Sequence, residues 1–484
     1  MAYEPTPESL STHQVPDWFH DAKFGIFIHW GLYSVPAWAP LGADIQELIR
    51  QGGMAALFRN NPYAEWYLNS MKLPEHPTRK HHANSYGSSF SYFDFQRIFE
   101  EAAAAMNPSN WAETFLGAGA KYVVMVTKHH DGYTLWPTQH PNPLREGYFS
   151  KRDFVGELTE AVRGRGMKMG HYYSGVLDWT FNEQPIRDFF TFLTNQRQSR
   201  QYVEYANAHW REIIDRYRPE VLWNDIGYPH GTNVNELFAH YYNTIPDGLV
   251  NDRWSQTKIP GNPVGRMLMK AALRSATRKM KKQGLELEPR CHHDFRTPEY
   301  KVYPDIRSEK WETCRGIGHS FGFNQLEGED AMISGEQLIR SLVDTVSKNG
   351  NLLLNVGPMA DGTIPEMQAR PLAELGDWLK TNGEAIYGTR PWTQASAQTL
   401  EGHELRFTRA GDAVYATIMG TTAETRFSIT GVPFGEIREA RLLGSSRPAE
   451  LERIDGGIRV VTSGAAKDNT TRAEARVAPV IKLS

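Results

Sequence analysis

Short apolar runs that end in polar, chemistry-capable residues recur along this chain, with helical patterns between them. Phe24-Gly25-Ile26-Phe27-Ile28 runs into His29-Trp30-Gly31, and Tyr122-Val123-Val124-Met125-Val126 into Lys128-His129-His130-Asp131. Met167-Lys168-Met169-Gly170 leads to His171-Tyr172-Tyr173-Ser174, and Val221-Leu222-Trp223-Asn224 closes on Asp225. Leu249-Val250 precedes Asn251-Asp252-Arg253-Trp254, and His293-Asp294-Phe295-Arg296-Thr297 precedes Pro298-Glu299-Tyr300. Trp311-Glu312-Thr313-Cys314 is a weaker seventh run, and Leu352-Leu353-Leu354-Asn355-Val356 stops at Gly357-Pro358. Runs this short and apolar read as buried strands. Residues 95–105, 110–116, 153–165, 201–217 and 336–347 carry helical patterns in the intervals. Strand alternating with helix about eight times predicts an α/β fold, a (β/α)8-like TIM-type barrel over residues 1–394. A doubly wound open sheet is the alternative, but the glycine-rich nucleotide fingerprint after its first strand is missing.

Near Gly388-Thr389-Arg390-Pro391-Trp392 the helical patterning stops and short alternating segments begin. They predict a small antiparallel β-sandwich over residues 395–484, without a carboxylate or histidine cluster. Two insertions interrupt the barrel pattern. Residues 32–94 are long for a connection, and long loops at a catalytic face are commonly functional. Residues 255–290 are strongly basic, and Val264, Met267, Leu268, Ala271 and Met280 suggest one apolar helical face. A solvated basic helix docked on the barrel is the plain reading. An active-site lid and a homo-oligomer contact are the sharper ones.

Composition narrows the classes. The chain has 484 residues, 40% hydrophobic, with a formal net charge of −3, which gives no global attraction to nucleic acid. Two cysteines, Cys291 and Cys314, exclude a disulfide scaffold, and no CxxC pair offers a zinc site. No run of about 18 apolar residues spans a membrane, and no secretory leader opens the sequence, so a cytoplasmic location is expected. Neither HExxH nor a His-x-His on the first strand is present, so no metal and no cofactor is expected. Gly318-His319-Ser320-Phe321-Gly322 matches G-x-S-x-G, but no helix pattern follows it as a nucleophile elbow needs.

The strand-end residues His29, His129, His130, Tyr172, Asp225, Arg253 and Glu299 would converge at one barrel mouth. Neutral His and Tyr exchange hydrogen bonds with hydroxyls and Arg donates, a mix that suits a polyol ring. Trp30, Trp66 or Phe321 would cover an apolar sugar face, and a carboxylate pair would supply nucleophile and acid. Each member alone also has a structural explanation. Asp225 serves equally as a helix N-cap, and the adjacent His129 and His130 would face opposite ways in an extended strand.

Taken in order, Lys23-Phe24-Gly25-Ile26-Phe27-Ile28-His29-Trp30-Gly31, Ala64-Glu65-Trp66-Tyr67, Thr127-Lys128-His129-His130-Asp131-Gly132-Tyr133, Leu222-Trp223-Asn224-Asp225 and Asn251-Asp252-Arg253-Trp254 resemble the α-L-fucosidases of glycoside hydrolase family 29. The resemblance covers about residues 14–394. It implies a barrel followed by a β-sandwich, and an exo-acting, retaining hydrolase of terminal α-linked L-fucose on glycans or glycoconjugates. It places the nucleophile at Asp225. Thr297-Pro298-Glu299-Tyr300 is similar to the segment carrying the acid/base in the broad-specificity branch, so Glu299 is expected there, with Glu65 and Glu312 as rivals. His29, Trp30, Glu65, Trp66, His129, His130, Tyr172, Arg253 and Phe321 would then bind the sugar. Many members have Asp-Gly at the nucleophile, whereas this chain has Asp225-Ile226-Gly227. A fucose-binding protein without turnover and a metal-dependent barrel hydrolase are the competing readings.

Overall fold

The computed structural model describes residues 2–42, 45–196, 199–283, 289–462 and 476–484. Its central sheet comprises β1 (Phe24–Ile28), β2 (Tyr122–Lys128), β3 (Lys168–Ser174), β4 (Val221–Asp225), β5 (Leu249–Val250), β6 (Trp311–Gly316) and β7 (Gly350–Val356). The strands are parallel in the order β5-β4-β3-β2-β1-β7-β6. Residues 294–300 fill the space between β5 and β6. Asn251 bridges Phe295, Arg296 bridges Trp311 and Glu299 bridges Cys314, all parallel. The sheet thereby closes into an eight-membered ring, the barrel expected from the alternating pattern. Its sixth member is irregular because Pro298 has no N–H to give the ladder.

Strand alternation divides the barrel residues into two layers. Phe27, Tyr122, Val124, Tyr172, Val221 and Trp223 fill the barrel interior. Their neighbours Ile26, Ile28, Val123, Met125 and Leu222 face the surrounding helices. Helices Phe95–Ala103, Pro108–Gly117, Phe154–Gly164, Arg200–Tyr217 and Gly335–Val346 fall where the sequence pattern put them. Side chains cap them: Asn107 accepts from the Ser109 N–H with Pro108 at the first turn, and Ser334 forms a capping box with Gln337.

The first insertion folds into short helices, among them Ile45–Gly52, Met54–Arg59, Tyr67–Met71 and Pro77–Tyr86. The second contains helix Pro263–Gln283, which packs on helices Ile45–Gly52 and Phe189–Asn195. Its docked face carries Leu273 and Ala276. The apolar face expected from Val264, Met267, Leu268 and Ala271 turns to solvent instead, with Val264 and Met267 64% exposed. Two weak apolar stripes compete on this helix, and the one nearer its middle is the one that meets the neighbouring helices. The side chains of residues 279–288, including Lys279, Met280, Lys281, Lys282, Glu286 and Glu288, lie outside the described residues.

Past the barrel, strands Arg390–Gln398, Glu404–Ala410, Ala413–Ile418, Ala440–Leu442 and Val480–Leu483 form an antiparallel sheet. It packs on a three-stranded sheet of Arg426–Thr430, Glu450–Ile454 and Gly457–Val461 around Leu405, Phe407, Ile418, Phe427, Ile429 and Val460. Bonds from Thr408 Oγ1 to the Ala385 carbonyl (2.7 Å) and from Trp378 Nε1 to the Ala478 carbonyl (3.1 Å) tie this unit to the last barrel helix and the turn after it.

Candidate active site

The carboxyl ends of the strands and the first insertion enclose a pocket with about 780 Å³ of empty space, its open mouth included. Ten of the residues singled out from sequence line it: His29, Glu65, Trp66, His129, His130, Tyr172, Asp225, Arg253, Glu299 and Phe321.

Asp225 ends β4 two residues after the inward-facing Trp223, so alternation aims it at the barrel mouth. Its Oδ2 accepts from the Tyr172 hydroxyl at 2.8 Å. Its Oδ1 accepts from Arg253 Nη1 and from the Ile226 N–H, both at 2.9 Å. It caps no helix; the next one begins at Val234 behind its own cap, Asn233. Burial pushes the Asp225 carboxyl up, but Arg253 and the hydrogen bonds outweigh it and hold the group below the usual carboxylate range.

Arg253 links the two carboxylates. Its Nη2 stands 3.5 Å from Glu299 Oε2 and donates to the Thr297 carbonyl at 3.1 Å. The guanidinium lies 4.7 Å above the Trp223 ring, so stacking and hydrogen bonds fix its plane. Glu299 Oε1 accepts from the Tyr63 hydroxyl at 2.9 Å. Burial and the nearby Asp225 charge raise the Glu299 carboxyl above its ordinary value despite Arg253 and Tyr63. Two carboxyls on one guanidinium are thus driven in opposite directions, Asp225 down and Glu299 up.

The histidines are neutral hydrogen-bonding groups. Burial pulls His29 down to about 4 and His130 to about 3, and takes His129 well below its ordinary value. His29 Nδ1 donates to Asn355 Oδ1 at 2.6 Å, and Asn355 is held by its bond to the Phe321 carbonyl. His130 Nδ1 meets Ser174 Oγ at 2.6 Å, and that hydroxyl donates onward to the Leu177 carbonyl. Both His129 and His130 line the pocket, contrary to the opposite-face expectation. The β2–β3 register shifts between Val126 and Lys128, and the doublet lies beyond the strand.

Two expected site residues are elsewhere. Trp30 is 1% exposed, packs on Phe99, Trp111 and Phe154, and donates to the Met359 carbonyl. Being next to His29, it turns outward by alternation. Glu312 is buried in the barrel below the pocket, where it accepts from Tyr122 (2.5 Å) and Trp223 Nε1 (3.1 Å). It stands two residues before Cys314, inward but one layer too deep. Trp30→Ala is therefore expected to lower stability by about 3–5 kcal/mol, read from denaturant unfolding.

Glu65 is in the pocket wall. Its Oε2 accepts from the Gly322 N–H at 2.8 Å and from Ser320 Oγ at 3.3 Å, and burial pushes it up to about 7. The single Ser320 proton is shared between Glu65 and the closer Gly322 carbonyl (2.7 Å), and the same hydroxyl accepts from the Ala64 N–H. The G-x-S-x-G match is therefore a loop that holds Glu65. Sequence reasoning missed Tyr63, Trp223 and Cys314, and also Met54, Leu57, Phe58 and Phe192. Counting alternate residues back from Asp225 would have found Trp223. Alternation along β6 would likewise have found Cys314, and the others arrive on helices and loops for which no strand register exists.

Among the described residues one trio brings donor atoms within 4.8 Å of one another: His13, His292 and Asp294. None of the three lines the pocket. Asp294 already accepts from His13 (2.8 Å), Tyr242 (2.8 Å) and the Val250 N–H (2.7 Å), a satisfied structural network.

The α-L-fucosidase family model matches residues 1–384. The chain is 34% identical over 434 residues to tissue α-L-fucosidase of Bos taurus, covering 86% of this chain and 77% of that one. It is 34% identical over 407 residues to plasma α-L-fucosidase of Homo sapiens, covering 81% and 73%. Among solved structures, Thermotoga maritima α-fucosidase matches over 100% of both chains at 39% identity with a TM-score of 0.81. An aspartate-to-glycine fucosynthase from the same organism matches at 38% identity and a TM-score of 0.84, again over 100% of both chains.

Proposed function

The chain belongs to the α-L-fucosidase family, and from that membership we propose that Asp225 is the nucleophile and Glu299 the general acid/base of a retaining hydrolysis. The enzyme removes terminal α-linked L-fucose from fucosylated glycans by double displacement. In the first step Asp225 Oδ attacks the anomeric carbon, the glycosidic C–O bond breaks, and Glu299 gives its proton to the departing oxygen. In the second, water attacks the fucosyl ester, Glu299 takes its proton, and the carboxylate leaves.

The observation that carries this assignment is the Arg253 bridge. One guanidinium contacts Asp225 at 2.9 Å and Glu299 at 3.5 Å, so the two carboxyls face one small volume at the pocket floor. An aspartate in that role fits the Thermotoga protein, which is named a fucosynthase and carries an aspartate-to-glycine substitution. His29, His129, His130 and Tyr172 offer partners to the ring hydroxyls. Trp66 and Phe321 give apolar faces, Phe321 for the C5 methyl. A methyl pocket separates fucose from galactose only modestly, because an added hydroxyl is hard to reject strongly.

The pH profile of kcat/KM tests the acid/base. Asp225 must be ionised and Glu299 protonated in the free enzyme. Asp225 is shifted down, so activity falls on the acid side only below the usual carboxylate range. Glu299 is shifted up, so activity falls on the basic side above that range. Glu299→Gln is expected to remove the basic limb for an aryl fucoside and Glu65→Gln to retain it. The reverse outcome assigns the acid to Glu65, whose carboxyl is also raised.

A further inference from the structure

The outer part of the pocket has an apolar lining that the double displacement does not use. Met54, Leu57 and Phe58 come from helix Met54–Arg59, Phe192 from helix Phe189–Asn195, and Ile226 from the residue after the nucleophile. A row of ring contacts links His130 to this wall. The Trp66 ring is 5.1 Å from His130, Phe58 is 5.4 Å from Trp66, and Phe192 is 6.0 Å from Phe58. A fucose with its anomeric carbon at Asp225 occupies the floor, so the leaving group is what meets this row. Asn61, the polar lining residue nearest to Phe58 in sequence, already turns its side-chain oxygen to the Tyr63 N–H.

Ile226 adds an independent sign. It has φ 67°, a left-handed conformation that β-branched residues rarely adopt. Such strain persists only where the surrounding structure imposes it, and it clusters at active sites and ligand clamps. Glycine would relieve it and remove an apolar group from the wall. The basic insertion stands behind the same wall. Helix Pro263–Gln283 packs on helices Ile45–Gly52 and Phe189–Asn195, with Leu273 against the core and Lys270 Nζ 5.6 Å from the Phe190 ring.

We propose that Met54, Leu57, Phe58, Phe192 and Ile226 form a leaving-group subsite for an alkyl or aromatic aglycone, with helix Pro263–Gln283 as its buttress. This rests on the fucosidase reading. A leaving group rich in hydroxyls would find few partners on this wall, whereas an apolar one is dehydrated by it.

The test is a series of ethyl, butyl and hexyl α-L-fucosides, whose leaving groups are nearly equal in acidity and differ in apolar area. Each fully buried methylene is worth about fourfold. The expected result is a rise in kcat/KM of at least about tenfold from ethyl to butyl, carried by KM. Phe192→Ala and Leu273→Gln should flatten that rise while both variants keep a cooperative melt. A flat series in the unaltered enzyme that hydrolyses ethyl fucoside overturns the subsite, and so does a slope unchanged in Phe192→Ala. If neither alkyl nor aryl fucosides are hydrolysed, it is the fucosidase reading that fails. The unaltered enzyme decides the first point even if a variant does not fold.

Discussion

Asp225→Gly is expected to release no detectable phenol from an aryl α-L-fucoside, a loss on the order of 10⁴-fold or more, and to regain turnover when azide is added. The carboxylate accepts from Tyr172, Arg253 and the Ile226 N–H. Each of these bonds orients one oxygen without neutralising it. Deleting it leaves an anion-sized space beside the Arg253 guanidinium, which azide fills. Azide then attacks the anomeric carbon from the face the carboxylate occupied, the aryloxide departs, and the product is the fucosyl azide of inverted configuration. Mass spectrometry and NMR of that product check both atoms and stereochemistry. Hydrolysis near the unaltered rate would remove Asp225 from the mechanism.

Glu299→Ala is expected to separate substrates by leaving group. A nitrophenolate departs without a proton, whereas a sugar alkoxide needs one in the transition state. Loss of the acid should therefore cost about 10²–10⁴-fold on a fucosylated oligosaccharide and much less on the glycosylation half of nitrophenyl fucoside turnover. The variant keeps Arg253 paired with Asp225, so binding of fucose itself should change little. Glu65→Ala gives the control. Glu65 is held by Gly322 and Ser320 rather than by Arg253, and as a binding group it should lower both substrates alike. Equal losses for Glu299→Ala and unequal losses for Glu65→Ala would exchange their roles.

The barrel was legible because each strand reads as a short apolar run that stops at a polar residue, and the helices between them carry their own caps. The irregular sixth member was legible too, since Phe295 is apolar and Glu299 sits at its far end. The site was legible wherever a strand register delivered the side chain: His29, Tyr172, Asp225, Arg253 and Glu299 all line the pocket. The same rule explains the errors. Trp30 and Glu312 were judged by residue type, but Trp30 has the wrong parity and Glu312 the wrong depth. What periodicity could not supply is the outer wall. Met54, Phe58 and Phe192 stand on short helices whose placement is decided by tertiary packing, and for the same reason the pattern picks out the exposed stripe of helix Pro263–Gln283 instead of the docked one.

The identity of the nucleophile is tested most directly by trapping it. A 2-fluorinated fucosyl fluoride loses fluoride readily on attack but is hydrolysed slowly, because the remaining fluorine destabilises the oxocarbenium-like transition state of both steps. Incubated with the unaltered enzyme and digested with a protease, it is expected to add one 2-fluorofucosyl unit to the peptide that carries Asp225, and to no other. A label on the peptide of Glu299 or Glu65, or steady turnover with no covalent adduct at any time, would contradict the assignment of Asp225 as nucleophile.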